Sequence, residues 1–314
     1  MKNVRKLTEG AMLLAVFTII MLITFYIPLL GFLNLFLPLP FILFAAKYEW
    51  KWTLVFLAAA IGLSLITGSI LSVPTAIGFG TTGVVMGILI RKQKDRFNVL
   101  LAGSFVFLIN LIIMYGVSII FFKIDFITEM VNMMKQSLNM SADMLKSFGQ
   151  EKEAERTIEQ FKKGLDLFRT LLPTLLVASS FIIVFMIQLV NYPIIKRFGI
   201  EMKKWKPFKD IRLPKSLLWI LMFTLLASML LNPQEGTYWY AALLNLTYVL
   251  QMLMVFQGYT YLFYYFDVKG MSKALSITLA VVSFIIPILL YIVGILGIID
   301  LGFDLRRYLI KKQS

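Results

Sequence analysis

The side chains that could carry chemistry are few and of limited kinds. The 314-residue sequence contains no Cys and no His, which removes thiolate nucleophiles, imidazole bases and the commonest zinc ligands. It also contains no Gly-x-x-x-x-Gly-Lys-Ser/Thr loop for binding nucleotide phosphates. A catalytic interpretation would rest on Asp300, Asp304, Arg306 and Arg307, for which charge-balanced helix flanks at a membrane interface are the favoured explanation. We therefore expect no enzyme activity, no cofactor and no metal site.

The polar side chains inside the apolar segments are amides and hydroxyls. Such groups hydrogen-bond between helices or hold a neutral or zwitterionic ligand. Asn110, Tyr115 and Gln188 lie on the two segments that flank the longest polar insert, so we predict them as ligand contacts. A purely structural role is the alternative for each of them.

The composition predicts an all-α, polytopic transmembrane helical bundle. Hydrophobic residues make up 59% of the chain and the mean hydropathy is +0.83, well above the values of soluble domains. About 20 apolar residues suffice to cross a bilayer as a helix. The nine hydrophobic segments cover residues 10–30, 32–46, 52–71, 73–90, 98–122, 170–195, 215–232, 237–266 and 274–299.

The residue types in these segments bear on two questions: whether the protein could be an ion-coupled carrier, and whether every segment is a straight helix. The nine segments contain no Asp, Glu or Arg, and Lys only at residue 215, the first position of the seventh, which disfavours an autonomous ion-coupled carrier. The second segment is short and contains Pro38 and Pro40, so we expect a tilted or broken helix there. Any energy for transport would have to come from a partner protein.

The distribution of charge predicts the orientation in the cell membrane. With the N-terminus in the cytoplasm, the N-terminal stretch and the loops after the second, fourth, sixth and eighth segments hold 19 Lys and Arg against six acids. This bias is the usual determinant of topology, so the net charge of +14 does not require nucleic-acid binding. Nine crossings would place the basic tail, with Arg306, Arg307, Lys311 and Lys312, outside. A re-entrant last segment broken at Pro287 would return the tail to the cytoplasm, and the sequence leaves both alternatives open.

The insert between Lys123 and Arg169 is predicted to form two amphipathic helices on the outer face. Ile158, Phe161 and Leu165 recur at helical spacing among charged residues. A second apolar series runs from Val131 to Phe148, with a separation and a cap expected around Asn139 and Ser141. The hairpin could be a spacer on the headgroups or a lid over a substrate.

Small residues indicate where helices approach each other closely. Gly83 and Gly87 are spaced four apart and should pack the fourth segment against a neighbour. Ala11 and Ala15 form a similar small face on the first segment, which could receive a helix of another subunit.

The sequence Glu9-Gly-Ala11-Met-Leu-Leu-Ala15, Pro28, the Pro38-Leu-Pro40 segment and the basic 91–96 loop resemble the YybS-like membrane proteins of Gram-positive bacteria. That family distantly resembles the S components of energy-coupling-factor (ECF) transporters. The resemblance implies a six-helix unit over residues 1–195 that binds a vitamin-like solute or a metal from outside. It also implies that Ala11 and Ala15 dock a coupling protein driven by two ATPases. The outer insert and the segments after residue 215 depart from the S-component pattern.

These observations give a domain organisation and two functional hypotheses. We predict an S-component-like unit at 1–195 with its insert at 123–169, a basic cytoplasmic loop at 196–214, and further membrane segments at 215–314. The leading hypothesis is a subunit that binds a small solute for uptake with a partner ATPase module. The alternative is a membrane scaffold or regulator whose basic loop recruits a cytoplasmic partner or anionic lipid. The candidate residues for that recruitment are Lys203, Lys204, Trp205, Lys206 and Lys209.

Overall fold

The structure, a computed structural model, describes residues 2–68 and 70–311, and these form helices and connecting turns without a β-strand. Two short 3-10 helices, Ile70–Ser72 and Phe208–Asp210, and a longer one, Pro28–Phe36, accompany the α-helices. The α-helices are α1 (Lys2–Tyr26), α2 (Pro38–Lys47), α3 (Trp50–Thr67), α4 (Val73–Arg91), α5 (Arg96–Phe122), α6 (Phe126–Ser147), α7 (Glu151–Thr170), α8 (Leu172–Arg197), α9 (Ser216–Leu231), α10 (Tyr238–Val268), α11 (Lys273–Ile285), α12 (Pro287–Phe303) and α13 (Leu305–Lys311).

The prediction of a polytopic helical bundle is confirmed. Within the described residues, seven helical stretches are long and apolar enough to span a membrane, or eight if α11 and α12 together form one bent span. The predicted segment at 215–232 is the shorter helix α9, and the predicted segment at 274–299 is the pair α11 and α12, bent by 119°. The seven stretches are Val4–Tyr26, Pro28–Lys47, Trp50–Thr67, Val73–Arg91, Arg96–Phe122, Leu172–Arg197 and Tyr238–Val268.

The second segment is broken, as its prolines predicted. Residues Pro28–Phe36 form a 3-10 helix, inside which Leu30 leaves helical geometry with φ −90° and ψ 16°. Helix α2 then begins at Pro38. Proline suits the first helical position because its missing N–H would have no intrahelical partner there.

The chain forms two compact units, one comprising Met1–Lys162 with Leu175–Lys204 and the other Lys163–Thr174 with Trp205–Ser314. An aromatic core joins α1, α2 and α3 in the first unit. The rings of Phe17 and Phe41 meet edge to face at 5.1 Å, and those of Phe44 and Phe56 stack at 4.4 Å. These rings are almost fully buried, so they fix the three helices against each other.

Helix α4 approaches α2 closely through its glycines. A Cβ atom added at Gly83 would lie 2.7 Å from the carbonyl oxygen of Pro38, and one at Gly87 would lie 2.6 Å from that of Ile42. Only a residue without a side chain allows this separation between backbones. The predicted packing role of the Gly83-x-x-x-Gly87 pair is therefore confirmed.

The insert forms the two predicted helices, α6 and α7, but the expected separation around Asn139 and Ser141 is wrong. Helix α6 continues through both residues, and the Ser141 hydroxyl donates to the carbonyl of Ser137 at 2.9 Å. This bond satisfies the hydroxyl inside a helix, so no cap is needed. The helix ends instead near Gly149, whose φ of +73° is a left-handed conformation that favours glycine.

Asp125 caps the start of α6 and should make the order of this helix depend on pH. Its carboxylate accepts hydrogen bonds from the backbone N–H groups of Ile127 and Thr128, both at 3.1 Å, and from the hydroxyls of Thr128 and Tyr115. The bond from the Thr128 hydroxyl is the main cause that lowers the pKa of Asp125, and the backbone bond from Thr128 and the Tyr115 hydroxyl lower it further.

A lowered pKa in the folded state means that the cap stabilises the helix above the ordinary Asp pKa and is lost as pH falls through the folded value. We therefore expect the backbone amides of Ile127 and Thr128 to lose protection from hydrogen exchange as pH falls through the folded pKa of Asp125. The exchange rates are first corrected for the intrinsic pH dependence of exchange. In Asp125→Ala the protection should be weak at every pH. Asp143→Ala, an exposed position on the same helix, serves as the control. Equal pH profiles for all three proteins would contradict the capping role.

In the second unit, residues 208–213 run along α10. The ring of Phe208 meets the rings of Phe256 and Phe263 edge to face at 5.5 and 5.1 Å. Lys209 forms an ion pair with Asp267, near the end of α10, and this carboxylate raises the pKa of Lys209. The segment before α9 is thus fastened to the second half of α10.

The sequence left open on which side of the membrane the C-terminal tail lies, and contacts of Arg306 give evidence on this point. Arg306 donates to the carbonyl oxygens of Lys209 and Ile211, so the chain after α12 lies at the same end of this unit as the 208–213 segment. Helix α11 begins soon after α10 ends, and the helix axis turns by 119° before Pro287. This placement fits the re-entrant alternative. Of the tail bases named above, Lys312 lies outside the described residues.

Candidate functional site

The structure places two of the predicted ligand contacts, Asn110 and Tyr115, in the second half of α5. The Asn110 amide donates to the Thr81 hydroxyl at 2.9 Å and to the carbonyl of Val106 at 2.7 Å, which ties α5 to α4. The Tyr115 hydroxyl donates to the Asp125 carboxylate at 3.0 Å. Both side chains thus have partners within the chain.

Gln188 lies elsewhere. Its amide donates at 3.3 Å to the carbonyl oxygen of Arg96, the first residue of α5. At 1.5 Å rise per residue, that position is roughly 28 Å along the helix from Tyr115. The structure therefore does not bring the three candidates into one pocket, and their assignment as ligand contacts stays a prediction. The sequence identified the two helices that flank the insert, but it did not show how far along the helix axis each of the three residues lies.

The predicted docking residues, Ala11 and Ala15, are both exposed on α1. Neighbouring apolar side chains, Met12 and Val16, are exposed on the same helix, whereas Phe17 is fully buried. The small-residue face is thus free in the isolated chain. Its role in docking a partner stays a prediction.

A polar recess lies at the end of the first unit where α5 begins and α8 ends. Gln188 and Asn191 are three residues apart on α8, so they share a helix face. They are 6% and 0% exposed, and their side-chain oxygens, Oε1 and Oδ1, have no hydrogen-bond partner. Both residues line a cavity of about 20 Å³. Two buried acceptors without a donor beside a cavity make this the strongest candidate site among the described residues.

The walls of the recess combine apolar and basic side chains. The Asn191 amide nitrogen donates hydrogen bonds to the carbonyl oxygens of Leu35 and Ile187, both at 2.8 Å. The amide oxygen is therefore the atom of this side chain that is left without a partner. The guanidinium of Arg96 lies 3.5 Å from the ring centroid of Tyr192. The other lining residues are Ile42, Met86, Ile90, Lys94, Val99, Ile195, Met202 and Lys203.

A wider concavity of about 470 Å³, which we call the basic groove, adjoins this recess. The two share Tyr192, Met202 and Lys203. Gly199, with φ of +74°, follows the end of α8 and turns the chain into the groove wall. The side-chain amide of Gln93 fastens this wall by donating a hydrogen bond to the carbonyl oxygen of Glu201 at 3.1 Å. The basic groove is lined by Gln93, Tyr192, Lys196, Gly199, Ile200, Glu201, Met202, Lys203 and Lys204.

The second unit contains a buried ion pair that sequence reasoning missed. Asp300 and Arg306 are 1% and 5% exposed, and Arg306 Nε lies 3.2 Å from the Asp300 carboxylate. The interpretation of these two residues as charged helix flanks is wrong, because Asp300 lies within α12 and both side chains are buried against Gln257 and Thr260 of α10. Asp304 and Arg307, by contrast, form an ion pair at the surface, in which the side chain of Arg307 is 81% exposed.

The buried pair belongs to a network that fastens 209–213 to α10. Gln257 donates to Asp300 at 2.6 Å and accepts from the backbone N–H of Leu213 at 2.9 Å. Arg306 also donates to the Thr260 hydroxyl at 2.9 Å. The signal available in the sequence was Gln257 inside a long apolar helix, together with Asp300 one step beyond the apolar run.

The fold and the charge pattern define the class: a multi-pass helical membrane protein with a concave polar surface at a basic end. A family model described as "Predicted membrane protein (DUF2232)" matches residues 15–301, so the chain belongs to this family. The chain is also 28% identical to the uncharacterized protein YybS of Bacillus subtilis (strain 168) over 308 residues, covering 98% of this chain and 99% of that protein. No solved structure matches the chain significantly.

Proposed function

We propose that the chain is a non-enzymatic membrane scaffold or regulator that recruits an acidic cytoplasmic partner at its basic end. The observation that carries the proposal is the basic groove, a concave surface with Lys196, Lys203 and Lys204 in its wall. In the cytoplasmic orientation that the charge bias favours, this surface faces soluble proteins. Positive potential in a concavity attracts acidic surfaces and steers their approach.

The placement of the polar residues supports this function over solute uptake. An uptake subunit needs a pocket open to the outside, and Asn110, Tyr115 and Gln188 would have had to converge there. They are instead spread along α5 and α8, and the concave polar surface lies at the opposite, basic end.

Charge reversal in the basic groove tests the proposal. We expect Lys196→Glu with Lys204→Glu to lower recovery of an acidic cytoplasmic protein about tenfold in affinity purification from native membranes in mild detergent. Lys51→Glu with Lys273→Glu, which changes the net charge equally at exposed positions that do not line the groove, should leave recovery unchanged. Equal recovery with both pairs, or no acidic protein with the wild-type chain, would contradict recruitment by the groove.

The exposed face of α1 favours a second candidate function, an S-component-like subunit that binds a vitamin-like solute for uptake with a partner ATPase module. Ala11 and Ala15 would then dock an ECF-type coupling protein. In this case Ala11→Leu with Ala15→Leu should abolish co-purification of a coupling protein and its ATPases. Ala58→Leu with Ala274→Leu adds the same volume at two other exposed alanines and should have no effect. Absence of such proteins from the wild-type preparation would reject this candidate.

A further inference from the structure

We propose that the recess and the basic groove together bind one molecule of an anionic phospholipid whose headgroup carries a hydroxyl, such as phosphatidylglycerol. The hydroxyl would occupy the recess at Gln188 and Asn191, and the phosphate would lie where the recess meets the groove, near Lys94 and Lys203. This lipid site goes beyond recruitment of a protein, and of its four side chains only Lys203 also lies in the wall of the basic groove.

The two unpartnered oxygens require a hydrogen-bond donor. Leaving a buried acceptor unsatisfied costs about 1–3 kcal/mol, so a ligand that brings a donor is favoured at each of them. A cavity of about 20 Å³ holds one water or one hydroxyl group but not a larger polar group. A choline headgroup has no donor for these oxygens, whereas a glycerol headgroup has two.

The surrounding charge favours an anionic ligand. Lys94 and Lys203 are both exposed, and within the described chain neither forms an ion pair with a carboxylate. Each Lys or Arg close to an anionic membrane surface contributes about 1 kcal/mol to binding. The ammonium of an ethanolamine headgroup would be repelled by the same lysines.

The position of the site indicates a lipid rather than a soluble anion. The recess lies where α5 begins and α8 ends, and the ends of spanning helices are at the depth of the headgroups.

Lipid retention by the full-length chain tests the proposal. The purified protein is mixed with equal amounts of phosphatidylglycerol and phosphatidylcholine of the same acyl composition, and bound lipid is counted by native mass spectrometry. We expect at least about tenfold preference for phosphatidylglycerol. Gln188→Leu with Asn191→Leu should reduce its binding about tenfold or more, because the two acceptors are lost.

A second variant, at two exposed lysines, tests the proposal even if the variant with leucine at both Gln188 and Asn191 does not fold. Lys94→Gln with Lys203→Gln alters only exposed side chains and should also lower phosphatidylglycerol binding about tenfold. Lys92→Gln with Lys206→Gln, an equal charge change at exposed lysines outside both cavities, should leave it unchanged. Equal retention of the two lipids, equal loss in both lysine pairs, or equally tight binding of soluble glycerol phosphate would overturn the proposal.

Discussion

Replacing Arg306 with leucine is expected to destabilise the protein by about 3–5 kcal/mol, because it leaves a buried carboxylate without its counter-charge. The Asp300 side chain is fully buried, and one of its oxygens already lacks a partner. Arg306→Leu also removes the donors to the carbonyls of Lys209 and Ile211. The 209–213 segment should then be held less firmly against α10, through the remaining Lys209–Asp267 and Leu213–Gln257 contacts.

Unfolding in mixed micelles with increasing sodium dodecyl sulfate, followed by tryptophan fluorescence, measures this loss. Arg307→Leu is the matched control, since Arg307 is 81% exposed and its ion pair should contribute at most about 1 kcal/mol. Replacing both Asp300 and Arg306 with leucine should cost less than Arg306→Leu alone, because no unpaired charge remains. An equal loss in Arg306→Leu and Arg307→Leu would show that the buried pair does not stabilise the fold.

Alanine at Gly258 is expected to be strongly destabilising, although alanine normally stabilises a helix relative to glycine by about 0.5–1 kcal/mol. A Cβ at Gly258 would overlap the carbonyl oxygen of Val293, and one at Gly297 would overlap that of Met254. Both clashes involve backbone atoms, which cannot move aside as a flexible side chain does. Helices α10 and α12 would have to separate, at a cost of about 1–3 kcal/mol or more.

The same micelle titration tests this contact. Gly302→Ala is the matched control on α12, because the nearest atom to its added Cβ is a side-chain carbon of Leu218 at 3.5 Å. Gly258→Ala and Gly297→Ala should each unfold at clearly lower denaturant than the wild type, and Gly302→Ala should not. A Gly258→Ala protein as stable as the control would contradict the close crossing of α10 and α12.

Much of the helical architecture was predictable from the sequence, because apolar length is a strong signal in a membrane protein. The runs at 98–122 and 170–195 correspond closely to α5 and α8. The Gly83 and Gly87 spacing indicated a close helix contact, since few other roles require two glycines one turn apart in an apolar helix.

The buried charges were not predictable in this way. Hydropathy ends the last segment at residue 299 because it treats every Asp as solvent-exposed, whereas Asp300 is paired with Arg306 and accepts a hydrogen bond from Gln257. Such pairing depends on tertiary contacts that a single sequence does not show. For the same reason the unpartnered oxygens of Gln188 and Asn191 could not be distinguished from the satisfied amide of Asn110.

In-cell photocross-linking tests the proposed recruitment most directly. A photoreactive phenylalanine at position 204 lies in the wall of the basic groove, and one at position 51, an exposed lysine at the start of α3, serves as the control. We expect the probe at 204, but not the probe at 51, to cross-link to an acidic cytoplasmic protein. No protein product at 204, or a product from outside the cytoplasm, would contradict the proposed function.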